Sequence, residues 1–84
     1  MNVHLLKIRP EFYDEVVNRT KKTEIRYNDR NYCIGDILIL WLYADNEHKK
    51  SFAICRITHI LDDVRYMKEG FVALSITLLM SGRI

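Results

Sequence analysis

Residues 3–8, VHLLKI, are a short run rich in branched apolar side chains and predict a first strand with apolar residues on both faces. Pro10 then changes the period. Proline at a first helical position, Glu11 in the first turn, and the i,i+4 pairs Phe12/Val16 and Tyr13/Val17 predict a short helix from about Pro10 to Asn18. Its N-cap is Arg9, a poor capping residue. After a basic segment, Cys33-Ile34-Gly35-Asp36 signals a turn into ILILWLYA, a strand expected to be buried on both faces. Asp45–Lys50 is a polar break. SFAICRITHIL then alternates, with Ala53, Cys55, Ile57 and Leu61 on one side and Arg56 and Thr58 on the other, which predicts a long hairpin. Asp62–Glu69 is polar with room for one helical turn, Gly70 ends it, and FVALSITLLM forms a last strand. A small, mostly antiparallel sheet whose central strand is apolar on both faces must be covered or closed. A small β-barrel with the helix plugging one side is the economical arrangement.

At 84 residues, with 49% apolar or aromatic and 29% charged positions, the chain supports one core and therefore one domain spanning residues 1–84. Three glycines and one proline are too few for a disordered or collagen-like chain. The apolar runs Ile37–Ala44 and Phe71–Met80 fall well short of the roughly 18 to 20 residues that span a bilayer, so no membrane association is expected. Cys33 and Cys55 are far apart and lack CxxC spacing, and MNVHLLKIRP does not resemble a signal peptide, so reduced thiols in the cytoplasm are expected.

The net charge of +2 is too small to indicate a nucleic-acid binder, but its distribution is uneven. From Arg19 to Arg30 the segment RTKKTEIRYNDR carries five basic and two acidic residues, a local +3, which leaves the remainder at −1. If residues 22–27 are extended, Lys22, Glu24 and Arg26 share one face and Thr23, Ile25 and Tyr27 the other. Ile25 would anchor the strand in the core while the charged trio faces a groove. A carboxylate two residues from each of two cations can orient both for an anionic or hydrogen-bonding ligand. The plain alternative is a solvated strand whose surface pairs contribute at most about 1 kcal/mol.

Other candidates carry less. His4, His48 and His59 lie on separate elements without metal-ligand spacing, so neither a metal nor a cofactor is expected. Cys33 follows a basic stretch that would activate a thiol, yet between Tyr and Ile it also reads as a small hydrophobe. Gly35-Asp36 lacks the glycine spacing of a phosphate loop. Tyr27 and Tyr32, beside the cations, could stack an unpaired base, or, like Trp41 and the other tyrosines, fill the core.

The chain resembles the ASCH family of PUA-like domains, whose pattern runs G-x-K-T-x-E-x-R, then N-D-R, an aromatic, and G-D before a long apolar strand. Lys21, Glu24 and Arg26 fall on the motif positions, followed in register by Asn28-Asp29-Arg30, Tyr32 and Gly35-Asp36. The opening HLLKI, the helix before the motif and EGFVALSI also match, so the resemblance covers most of the chain. Arg19 stands where the family has glycine, and Lys22 where it usually has threonine.

The resemblance implies an α+β, mainly β fold: a PUA-like β-barrel of about five to six mostly antiparallel strands with one short helix after the first strand. It further implies a cleft between barrel and helix, floored by the Lys-Glu-Arg motif, and a role in RNA binding. Lys21, Lys22, Glu24, Arg26, Tyr27, Arg30 and Tyr32 are then the expected binding residues, with Glu24 orienting the cations and a tyrosine stacking a base. One short patch without a recognition helix suits single-stranded or looped RNA, or a nucleotide or nucleoside, better than duplex DNA. Some ASCH members are amidohydrolases acting on acylated cytidine, which makes Lys21 and Glu24 catalytic candidates here. Those enzymes carry a hydroxyl residue where this chain has Glu24, and a carboxylate from a longer insertion where it has only Asp62–Glu69. A protein-interaction module using an exposed barrel edge is a third reading.

Overall fold

The structure is a computed structural model that describes residues 1–42 and 51–84. The predicted polar break Asp45–Lys50, with His48, and the end of the ILILWLYA run lie outside the described residues. Five strands, β1 (Val3–Ile8), β2 (Thr23–Tyr27), β3 (Ile37–Leu42), β4 (Ser51–Leu61) and β5 (Phe71–Arg83), form one sheet in the order β1-β3-β4-β5-β2, and helix α1 (Pro10–Val17) follows β1. Only β1 and β3 pair in parallel; the other pairs are antiparallel. The sheet curls into a half-barrel whose two ends, β1 and β2, are edges rather than partners. This makes the domain mainly β with one short helix. The expected closed barrel is instead an open one, with its seam between β1 and β2.

The concave face holds the core. Leu6 and Ile8 of β1, Leu38 and Leu40 of β3, Ala53, Cys55 and Ile57 of β4, and Val72, Leu74 and Ile76 of β5 form one buried cluster. Strand alternation therefore sends Val3 and Leu5 outward, where they are exposed. Across the convex face Leu5, Ile39, Ile54 and Met80 stand in one cross-strand row. Strand β3 is buried on its inner face only, its outer residues Ile37, Ile39 and Trp41 being half-covered. In β4, Leu61 was expected inward but is exposed, because the register shift between Ile57 and His59 changes the strand's phase and brings Ile60 to the core instead. Burial pushes the Cys55 thiol up to about 11, so it behaves as a small hydrophobe.

Helix α1 covers the concave side with Val16, supported by Tyr13 and Val17. Tyr13 donates its hydroxyl to the Phe52 carbonyl at 3.1 Å, tying the helix to β4. Arg9 caps the helix without a side-chain hydrogen bond, so Pro10, which has no amide to satisfy, carries the start. The end is a Schellman arrangement: the Thr20 amide reaches Glu15 O at 3.0 Å and the Arg19 amide reaches Val16 O at 3.1 Å. Arg19 occupies the left-handed position with φ 70°, so the tight helix-to-strand turn forms although no glycine is present.

A second buried constellation secures the other end of the sheet. Asp36, 2% exposed, accepts from the backbone amides of Asn2 and Cys33, each at 3.0 Å, and from His4 Nε2 at 2.9 Å. These bonds hold its carboxyl down at about 2, the Asn2 amide contributing most. An ionised carboxylate only accepts, so Nε2 of His4 carries a proton. Tyr32 packs edge-on against His4, with ring centroids 4.8 Å apart. Among the described residues, no helix is long and apolar enough to cross a membrane and no three His, Cys, Asp or Glu side chains are grouped to hold a metal.

Candidate functional site

The short strand β2 pairs with β5 along one edge, matching Glu24 to Leu74 and Arg26 to Val72. Val72 and Leu74 belong to the buried face, so the same alternation turns Glu24 and Arg26 inward and Ile25 outward. This reverses one expectation: Ile25 is 61% exposed, while Glu24 is only 5% exposed. The strand places its charges, not its isoleucine, on the core side. This is tolerable because both carboxylate oxygens are satisfied there.

Lys21 Nζ pairs with Glu24 Oε1 and also donates to the Thr23 carbonyl. Arg26 Nε donates to Glu24 Oε2 at 2.7 Å, and Arg26 Nη2 donates to the Lys7 carbonyl, also at 2.7 Å. Arg26 thus bridges the seam from β2 to the end of β1. Glu24 orients both cations, as the motif spacing suggested.

Above this cluster lies a cleft of about 500 Å³, within the usual range for small-molecule sites. Lys7, Ile8 and Arg9 line it from the end of β1 onward, Phe12 from α1, and Lys21 with Thr23–Arg26 from β2. Four cations thus border it against the single carboxylate of Glu24, and Ile8, Phe12 and Ile25 supply apolar wall. Lys21 Nζ lies 5.7 Å from the Phe12 ring centre, joining the charged floor to that wall.

Of the seven expected binding residues, the cleft gathers Lys21, Glu24 and Arg26. The other four lie elsewhere. Lys22 is exposed and lines a separate, smaller pocket. Tyr27 is on the opposite side of β2 from Glu24 and packs edge-on against Phe71 at 5.5 Å. There it covers Gly70, where a Cβ would come within 2.5 Å of the ring. Tyr32, 6% exposed, is part of the core, and burial raises its hydroxyl pKa against the lowering pull of Arg26 and Arg30. Arg30 is half-exposed and lies 3.8 Å from Asp29. The aromatic ring available to a cleft ligand is therefore Phe12. Its i,i+4 spacing to Val16 suggested core, yet it remains 43% exposed at the rim. Lys7 and Arg9 were likewise legible only as strand and cap. Cys33 is exposed and does not line the cleft.

Comparison with known families matches residues 3–76 to a domain of unknown function, DUF3850. The chain belongs to the DUF3850 family. The match takes in β1 through β4 and β5 as far as Ile76, and so every residue lining the cleft. Among curated proteins it is similar to the uncharacterized 12.9 kDa protein in the GpA 3′ region of Escherichia phage P2, with 33% identity over 60 residues. That stretch is 71% of this chain and 55% of the phage protein, so the chain spans about half the length of this DUF3850-like relative.

Proposed function

We propose that this domain is an ASCH-type, PUA-like module of the cytoplasm that binds single-stranded or looped RNA, or a nucleotide, in the seam cleft. The observation that carries the reading is the composition of that cleft. Lys7, Arg9, Lys21 and Arg26 border a space of about 500 Å³ whose single carboxylate is already held by Lys21 and Arg26, and Phe12 stands at its rim. An excess of positive charge next to an exposed ring suits a ligand that joins a phosphate to a flat base. Arg9 and Arg26 take the phosphate, Phe12 and Ile25 enclose the base, and Glu24 acts as a positioning residue. The match of Lys21, Glu24 and Arg26 to the ASCH motif supports the same reading.

Hydrolysis of an acylated nucleoside is a weaker reading. Both oxygens of Glu24 are engaged by cations, which leaves it poorly placed to exchange protons.

Fluorescence anisotropy of a mixed panel of short single-stranded RNAs, at two salt concentrations, tests the proposal. Lys21→Ala/Arg26→Ala removes the floor, and Phe12→Ala removes the ring without touching the buried carboxylate. The expected result is salt-sensitive binding, with roughly 0.7 counterions released per phosphate contacted. It should be lost in the double variant and weakened about fivefold to a hundredfold by Phe12→Ala, the range for one stacked base. Salt-independent binding, or binding indifferent to Phe12→Ala in a folded protein, would contradict it.

A further inference from the structure

The smaller pocket, about 150 Å³, lies on the other side of Lys21, between the end of α1 and β5. Arg19, Lys21 and Lys22 line it with Val16, Ile76, Thr77 and Leu78. No carboxylate is among those residues, so its lining is more one-sidedly positive than that of the larger cleft. The site is built by the backbone. The Schellman turn throws Arg19 into the left-handed conformation, from which its guanidinium reaches the Leu78 carbonyl at 3.4 Å. The Lys22 carbonyl accepts from the Ile76 amide at 3.0 Å, which fixes the start of β2 against β5. Thr77 is exposed and offers a hydroxyl between them. Lys21 alone lines both pockets, and its ammonium is committed to Glu24 and the Thr23 carbonyl. It forms a ridge between two basins.

At about 150 Å³ the second basin is too small for a nucleotide by itself, since small-molecule sites run from about 300 Å³ upward. It can take one phosphate. Building on the reading of the cleft as a nucleotide site, we propose that the Arg19/Lys22 basin binds a neighbouring backbone phosphate of the same strand. The ligand is then a single-stranded oligonucleotide that crosses over Lys21, rather than a free mononucleotide. The departure of Arg19 and Lys22 from the ASCH pattern gives this chain both of the cations that the basin adds to Lys21.

The test compares a mixture of nucleoside monophosphates with a random pentaribonucleotide pool, binding each to wild type and to Arg19→Gly/Lys22→Ala. Glycine suits the left-handed turn, and Lys22 is exposed, so the variant keeps the fold. For wild type the pentanucleotide pool binds at least tenfold tighter than the monophosphates. In the variant that ratio collapses towards one, and the salt slope for the pool falls by about 1.4, roughly 0.7 for each lost phosphate contact. A wild-type ratio near one, or a ratio and slope unchanged in the variant, overturns the second subsite and leaves the cleft reading intact. No binding of either probe by wild type overturns both.

Discussion

The protein buries two carboxylates among its core residues, and they do different work. Asp36 is held by two backbone amides and the enclosed ring of His4, all inside the fold. Glu24 is held by the ends of two long cations whose flanks border the seam cleft. Both are fully partnered, so burial alone does not separate a structural carboxylate from a functional one. The identity of the partners does. Backbone partners lock a turn to a strand, whereas Lys21 and Arg26 carry their charge to a surface where a ligand can sit.

The sharpest way to break this contrast is to remove each carboxylate in turn. Asp36→Ala strands the amides of Asn2 and Cys33 and the protonated nitrogen of His4, and should cost about 3 to 5 kcal/mol in urea unfolding. Glu24→Gln keeps the shape and should cost less, about 1 to 3 kcal/mol. Its larger effect is on ligand binding: with Arg26 no longer anchored, RNA affinity should fall about tenfold although the cleft becomes more positive. A rise in affinity would show that charge alone, not orientation, sets binding.

Acid sharpens the same comparison. Asp36 titrates at about 2 in the folded chain against an ordinary 3.8, so folding favours its ionised form. That contribution, about 2 kcal/mol, is fully present above pH 4 and is lost as the pH falls through the folded value near 2. Urea midpoints of wild type and Asp36→Asn, followed from pH 5 to pH 2, should therefore converge. Parallel curves would mean that Asp36 does not supply the acid sensitivity.

The smallest expected effect concerns the turn that feeds the site. Arg19→Gly relieves a left-handed arginine and should stabilise the protein by about 0.5 kcal/mol, read from thermal unfolding, the gain being reduced by the lost bond to Leu78.

Periodicity carried most of the fold into the sequence. The 3.6 spacing around Phe12–Val17 and the alternation in residues 51–57 mark elements that form as read. Period two also grouped Glu24 with Arg26 correctly, but it cannot say which face is inside. An apolar Ile25 seemed the natural anchor, and only pairing with β5 shows that the charged face turns inward. Leu61 misled for a related reason, since a bulge shifts phase without leaving a mark in the pattern. The His4–Asp36 bond joins residues 32 apart in sequence, and nothing local announces it. Phe12 looked like core because spacing reports which residues share a face, not where that face ends.

The central claim is that the ligand meets the Glu24 region and not the Asp36 region. An amide-resolved NMR titration with a random pentaribonucleotide pool tests it directly. Shifts concentrated at Lys7, Arg9, Phe12 and Lys21–Arg26, with Asn2, His4, Tyr32, Cys33 and Asp36 unmoved, are what the account predicts. Shifts centred on the Asp36 cluster, or spread evenly over the basic surface including Arg30, would contradict it.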